Sequence, residues 1–396
     1  MSSESDVIVV GGGPSGLVAA LALADAGVTV ALVAPPPAHD DRTTALLGSS
    51  IDLLERIGAW EALHPHAAAL KTMRLIDGTR RLIRAPETAF EAAELGLPAF
   101  GYNIANEALN RGLAALVEAA SGIVRHETTA TAISATIAGA VVSTEDGGEI
   151  AGRLVVGADG RRSLVRESAG ISVRQWSYPQ VALVLNVAHD GDHGDTSTEF
   201  HTETGPFTLV PLAPNRSAIV CVVAPEEAGR LAALADDALA RELERRSQRL
   251  LGRLTVDGPR QTWPMSSLLA ERLTAERVAL VGEAAHAFPP IGAQGLNLGL
   301  RDIADLARIA GRALSRHEDP GSAPVLAAYE KARRVDVATR TFGVDLLNRS
   351  LLTGFLPVQI ARSVGLEAAR SIAPLRRLLM RQGLAKGLAT ALPRPS

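Results

Sequence analysis

The residues with the clearest chemical content are small ones. Gly11, Gly13 and Gly16 stand in GGGPSG at the spacing G-x-G-x-x-G, with Pro14 and Ser15 inside the turn. In that spacing the first glycine permits a tight turn, the second lets backbone approach a pyrophosphate, and the third lets a helix pack on a strand. A second glycine-rich stretch, GEAAHAFPPIGAQGLNLGLRD, runs from Gly282 to Asp302. It holds Glu283 at its head, then Pro290, Gly292, Ala293 and Gln294, and a helix expected to begin near Gly295, Leu296 and Asn297. The free N–H groups and positive dipole end of that helix would face whatever occupies the loop. Between the two, GADGRRS sets Asp159 and Gly160 at a strand end.

Other reactive side chains have a plainer reading. HDGDHGD, His189 to Asp195, has the composition of a solvated turn rather than a metal site. Cys221, the single cysteine, lies in the apolar run AIVCVVAP and reads as a small buried hydrophobe in a reducing compartment. His286 is expected to be a fixed packing or hydrogen-bonding residue. No metal is expected, and no acid or base is nominated as catalytic.

The elements that must hold these residues are legible. Asp6 to Val10 is a short β-branched run suited to a buried parallel strand. Leu17, Leu21 and Ala24 recur at helical spacing up to Gly27, and VTVALV reads as the next strand, so the whole is a βαβ unit. Arg153 to Val156 and Val278 to Glu283 read as further strands, and Leu300, Ile303, Ala307 and Ala310 line one face of the late helix. VALVLNVAHD and STEFHTETGPFTLVPLAPNRSAIVCVVAP read as strands joined by turns, with more strands expected around Met73 to Arg84. EEAGRLAALADDALARELERRSQRLLG reads as one long amphipathic helix. One expected part is missing: where a ribose-binding acid usually ends the second strand stands Ala34. Asp40 or Asp41 would substitute, or the gap beside Arg42 would admit the 2′-phosphate of NADP.

A chain of 396 residues, 47% of them hydrophobic, forms one large domain or two interleaved ones. A net charge of −3 gives no ground for a nucleic-acid partner. The start MSSESD lacks the basic residues of a signal peptide, and the longest apolar stretch is interrupted by Asp25 and Gly27, so a cytoplasmic protein without a spanning helix is expected. From Leu346 onward Arg349, Arg362, Arg370, Arg376, Arg377, Arg381, Lys386 and Arg394 face one acid, Glu367. Basic amphipathic helices of this kind either rest on the anionic inner face of a membrane or pack on the domain or a partner.

Three motifs in order, GGGPSG, GADGRRSLVR and GEAAHAFPPIGAQGLNLGLRD, resemble those of the flavin-dependent aromatic hydroxylases with the hydroxybenzoate-hydroxylase-like fold. DRTTALLGSSIDLLERIGAW, GPFTLVPL and FGVDLLNRSLL extend the resemblance over most of the chain, the last pointing to the ubiquinone-biosynthesis hydroxylases. The resemblance implies an α/β fold: a Rossmann-like FAD-binding domain of the glutathione-reductase-like βαβ type, discontinuous, interleaved with a mixed-sheet substrate domain and ending in a C-terminal helical segment. The expected divisions are 1–72, 101–175 and 269–345 for the FAD-binding domain, 73–100 for a substrate-domain insertion, 176–268 for the substrate domain and 346–396 for the basic helices.

It also implies that one FAD spans both glycine loops. Gly11, Gly13, Pro14, Ser15 and Gly16 would serve its pyrophosphate, with Arg42 as a nearby positive charge, while Asn106 and Asp159 match family positions at the cofactor. Glu283 replaces the family's usual aspartate beside the ribityl chain. Pro290, Gly292, Ala293, Gln294, Gly295, Leu296 and Asn297 would surround the flavin, with Ala293 where many relatives carry glycine. NAD(P)H or another electron donor would reduce the flavin, and a flavin C4a-hydroperoxide formed with O2 would hydroxylate the ring of a polyprenylated phenolic quinone precursor. A small soluble aromatic substrate, or a non-catalytic scaffold in a quinone-biosynthesis complex, are the alternatives, and a homo-oligomer fits each.

Overall fold

The computed structural model describes residues 5–36, 39–79, 86–289 and 294–352, together with 374, 376, 377 and 380. Two large sheets carry the architecture. In the first, the strands Ser5–Val10, Val30–Val33 and Ile123–His126 run parallel on one side, and Glu149–Gly157 and Val278–Leu280 extend it in parallel on the other. Val7, Ile8, Val9, Leu154, Val155 and Val156 are all completely buried, as strands covered on both faces must be. The helix Pro14–Asp25 covers one face and packs along the late helix Gln294–Ser315. Glu149–Gly157 also pairs with an antiparallel hairpin, Ala130–Thr136 and Gly139–Thr144.

The second sheet has nine strands and mixes directions. Its spine is the strand Val173–His189, antiparallel to Arg216–Val223 and to Gln261–Ala270. Alternation along it divides the faces. Leu183, Leu185 and Val187 join Phe207, Ile219 and Cys221 in a core under two helices, while Ala182, Val184, Val220, Val222 and Met265 cluster on the opposite face. The early strand Thr72–Asp77 joins this sheet in parallel with Thr196–His201, so the second sheet is assembled from two separate stretches of chain. A small three-stranded sheet, Thr43–Leu47, Gly101–Ala105 and Ala67–Leu70, stands between the two large ones.

The expected single helix from Glu226 to Gly252 is two, Pro225–Ala233 and Asp236–Arg246. Leu234 and Ala235 are extended between them, and Asp236 and Asp237 fall in the first turn of the second helix, where carboxylates meet the positive dipole end. The break lets Ala228 and Leu231 on one segment and Leu239, Ala240 and Leu243 on the other all reach the same core, which a straight helix would have rotated apart.

Of the C-terminal segment beyond Leu352, Met380 is buried against Phe100 and Ala92, with Met73, Phe90, Leu95 and Leu97 around them, and Arg376 pairs with Glu94 at 2.6 Å. At these positions the chain returns to the stretch 73–100. The basic residues Arg362, Arg370, Arg381, Lys386 and Arg394 lie outside the described residues.

Candidate cofactor site between two glycine turns

The first turn leaves its strand with Gly11 at φ +124°, where a Cβ would collide with the carbonyl of Ala158; a Cβ on Gly16 would strike the carbonyl of Gly11. Glycine is required at both by close backbone approach. Gly13 differs: it is exposed, and a Cβ there would meet nothing within 4 Å. It caps the helix Pro14–Asp25 with no side-chain hydrogen bond, Pro14 occupies the start of the helix, and no acid lies in its first turn. The helix therefore presents unsatisfied N–H groups and an uncompensated dipole end beside open space, which suits a pyrophosphate.

The second turn lies against the first. Gly282, at φ +60°, begins a single 3-10 turn to Ala284, and a Cβ on it would stand 2.8 Å from Ser15 Oγ. One on Gly299 of the late helix would stand 2.9 Å from the Cα of Gly282. The start of the first helix, the late turn and the late helix thus meet with only the small Ser15 side chain between them. Glu283 is exposed on this turn.

Asp159 lies at the seam. Its Oδ2 accepts the Val165 N–H at 3.1 Å, capping a short helix, while its Oδ1 is buried without a partner. An unmet buried acceptor costs about 1–3 kcal/mol. A hydroxyl donor from a bound group would relieve it, so this orphaned oxygen, the open Gly13 and the uncapped helix all fit a ligand that carries both phosphates and hydroxyls.

Around the mouth the polar groups are already engaged with each other. Asp40 Oδ1 accepts the Arg42 backbone N–H at 3.1 Å and its Nε–H at 2.8 Å, and Oδ2 accepts from Arg42 Nη2 at 2.7 Å and Asn106 Nδ2 at 2.8 Å. Burial raises the Asp40 carboxyl, but these donors outweigh it and hold it below the usual range. Asp40 in turn, with Glu283 adding a weaker attraction, holds the Arg42 guanidinium firmly charged. Asp41, the other possible substitute for the missing acid at Ala34, contacts His39 Nε2 at 2.7 Å. Arg42 also lies 5.1 Å over the ring of Trp263, which is 45% exposed on the second sheet. This cation–π contact joins the residue before the Thr43–Leu47 strand of the small sheet to the second large sheet, and it had no sequence signal, because the residues are remote in the chain.

Asn297 is 1% exposed; its Oδ1 accepts from the Leu47 N–H at 2.8 Å and Ser50 Oγ at 2.6 Å, and its Nδ2 donates to the Ala45 carbonyl at 2.7 Å. Its side chain ties the late helix to the Thr43–Leu47 strand. Gly295 and Leu296 stand in the first helical turn, which contains no acid; Gln294 begins the helix, its side chain outside the described residues, as are Pro290, Gly292 and Ala293 altogether.

Sequence reasoning missed the group that braces the late turn. Asp302, fully buried, accepts from the Gly282 N–H at 3.1 Å and contacts His286 Nε2 at 2.6 Å through one oxygen, and accepts from Arg333 Nε at 2.7 Å through the other. Burial raises its carboxyl, yet His286 and Arg333 together keep it below the ordinary value. Tyr329 Oη donates to the Leu280 carbonyl at 2.8 Å, and burial, with Asp302 next, pushes its phenol well above normal. Asp302 stands within the quoted late motif; Arg333 carries no motif and is found only by folding. His189 and His193, in the turn expected to be solvated, instead bond inward, to Ser217 Oγ and the Gly191 carbonyl and to the Leu212 carbonyl. Among the described residues no group of His, Cys, Asp and Glu is arranged to hold a metal.

Comparison with known proteins agrees with this geometry. Residues 4–342 match the family model described as FAD binding domain. The chain is 36% identical to the ubiquinone hydroxylase UbiL of Rhodospirillum rubrum, over 96% of this chain and 89% of that one. It is 31% identical to the 3-demethoxyubiquinol 3-hydroxylase of Escherichia coli, over 97% and 99%. Among solved structures, p-nitrophenol 4-monooxygenase PnpA from Pseudomonas putida superposes with a TM-score of 0.79 at 22% identity, covering 97% of this chain and 99% of that one.

Proposed function

Because the chain belongs to the FAD-binding family of aromatic-ring monooxygenases, within its ubiquinone-biosynthesis hydroxylases, we propose that it hydroxylates the ring of a polyprenylated phenol on that pathway. The observation that carries the site is the contact of Ser15 with Gly282, which makes one continuous cradle of the two glycine turns. FAD is the cofactor, and when bound and reduced it supplies the activation of O2.

The protein's own residues bind, orient and keep water out. Gly13 and the first turn of the Pro14–Asp25 helix hold the pyrophosphate, Asp159 Oδ1 accepts a hydroxyl, and Glu283 stands beside the late turn as a second acceptor. The first turn of the Gln294–Ser315 helix, free of acids, stabilises negative charge on the flavin ring through its N–H groups. Ala182, Val184, Val220 and Met265 offer the substrate ring a dry apolar wall, with Tyr178 at its edge and Trp263 toward the mouth. Phe288 and Pro289, both buried, continue that dryness on the late-turn side.

The polyprenyl tail favours a substrate met at a membrane, and the basic segment 346–396 is the contact we assign to it, through cations other than Arg376, which pairs with Glu94 on the domain; NAD(P)H or another donor delivers the electrons. No helix among the described residues is long and apolar enough to cross a membrane. Gene deletion followed by mass spectrometry of quinone precursors tests the proposal. An accumulating precursor one hydroxyl short supports it, an unchanged quinone profile moves the reading to a small soluble aromatic, and a protein that stays colourless with FAD points to a scaffold.

A further inference from the structure

At the edge of the first sheet, where Thr274–Ala275 pairs with the Val278–Leu280 strand, lies a groove of about 840 Å3. The strand Val278–Leu280 leads toward the late turn, and the groove opens at its other end, along Thr274 to Arg277, so it is no part of the cofactor site. Its floor is apolar, with Leu326, Ala327, Ala275 and the hairpin residue Ile137, which is 84% exposed.

The long helix Ala323–Leu352 forms one wall and carries the groove's character onward. Ala327, Lys331, Arg334, Val335, Ala338 and Phe342 fall on one helical face at the spacing i, i+4, i+7, i+8, i+11, i+15, and all are exposed. Val335 is 73% and Phe342 68% exposed, so with Ile137 this surface gathers three large apolar side chains in open solvent. Single exposed apolar residues need no explanation, but an aligned set beside a groove marks an interaction surface.

The charges select the partner. Lys331 and Arg334 make no ion pair among the described residues, and Arg272 at the groove rim makes only long contacts, 3.5 and 3.4 Å, to the carbonyls of Ala169 and Gly170. Of the acids nearby, Glu330 is turned inward, accepting the Leu273 N–H at 2.6 Å, and Asp336 is held by Arg333 and Arg340. Glu276 and Glu271 remain there as exposed acids, so three cations without a carboxylate partner among the described residues, Arg272, Lys331 and Arg334, face two such acids.

We propose that this face, Lys331, Arg334, Val335 and Phe342 with the Arg272 rim, docks on an anionic bilayer, its apolar side chains entering the headgroup boundary and its cations meeting lipid phosphates. A helix face of about 22 Å with cations flanking exposed Val and Phe has the make-up of an interfacial surface. The inference goes beyond the substrate reading, and its test needs no turnover.

Full-length, FAD-loaded protein is floated with vesicles of phosphatidylcholine alone or with roughly 30 mol % phosphatidylglycerol. The wild type should bind the anionic vesicles preferentially. Lys331→Gln with Arg334→Gln should weaken that binding roughly 30-fold, each cation near an anionic surface being worth about a factor of five. Val335→Ser with Phe342→Ser should weaken binding to both vesicle types, with flavin absorbance unchanged in either variant. Binding equal to wild type in both pairs overturns the proposal; if Arg362, Arg370 and Arg377 changed together to Gln then abolish it, the contact belongs to the C-terminal segment instead. Failure of the wild type to bind either vesicle overturns both membrane contacts and leaves ring hydroxylation standing.

Discussion

Ser15 and Gly282, far apart in the chain, touch so closely that a Cβ on Gly282 would lie 2.8 Å from the Ser15 hydroxyl oxygen. Gly282 also holds φ +60°, which L side chains adopt at a cost of about 1–3 kcal/mol. Gly282→Ala is therefore expected to lose stability by that order and to bind FAD more weakly, since the Ser15 hydroxyl must turn away, or the two turns part, to admit the methyl. Flavin-fluorescence titration together with urea unfolding reads both effects. A variant with wild-type FAD affinity would show that the cradle does not depend on this contact.

Asp159 gives a sharper test of the cofactor's position. Its Oδ2 is occupied by Val165 while Oδ1 is unmet, so removal of the carboxylate should cost both a cap and the acceptor offered to FAD. A hydrogen bond to a charged group is worth about 1.5–3 kcal/mol, so Asp159→Ala should weaken FAD binding by one to two orders of magnitude. Asp159→Asn, which keeps two polar atoms, should fall between. If equilibrium dialysis gives Asp159→Ala the wild-type FAD affinity, Asp159 serves only as a helix cap.

What the sequence discloses divides along physical lines. The βαβ unit was legible because a fully buried strand, a glycine turn and a helix each leave a local pattern, as at Val7 to Gly16. The engagement of Asp40 with Arg42 is nearly local too, yet Asn106 completes it across 66 positions and Trp263 from another sheet, and no periodicity encodes such meetings. The helix break at Leu234 was hidden because both halves are amphipathic with good helix formers, and only the shape of the sheet beneath decides where they part. Arg333 was invisible for a similar reason: in a long charged helix nothing marks the one arginine that turns inward to a buried acid.

Cys221 supplies a prediction that does not involve the cofactor. Its side chain is fully buried, and burial pushes the thiol up to about 11 despite the opposing charge of Arg246. Native protein at pH 8 should resist alkylating reagents for hours, and urea-unfolded protein should react at once, because only the thiolate attacks. The raised value also has a sign for stability: between the unfolded thiol's value of 9.0 and about 11 the unfolded chain loses its proton first, so stability falls as pH rises across that window. Rapid labelling of the folded protein, measured by intact mass, would contradict the buried placement.

Asp302 braces the late turn from beneath, and the cost of removing it can be argued from its partners. Asp302→Asn leaves Arg333 charged and 4% exposed, with only Asp305 at 3.3 Å and Asp336 at 2.9 Å to face it. Breaking a buried pair costs about 3–5 kcal/mol, and the remaining acids place this one near the lower limit. Replacing both partners, Asp302→Asn with Arg333→Met, removes the stranded charge and should recover part of that loss in urea unfolding. Because the native carboxyl titrates below its ordinary 3.8, its stabilisation is complete above that pH and is lost as pH falls through the lower native value. The wild type should then lose stability relative to Asp302→Asn only under strongly acidic conditions, and a difference between them that already shrinks between pH 8 and 6 would mean that some other group governs the brace.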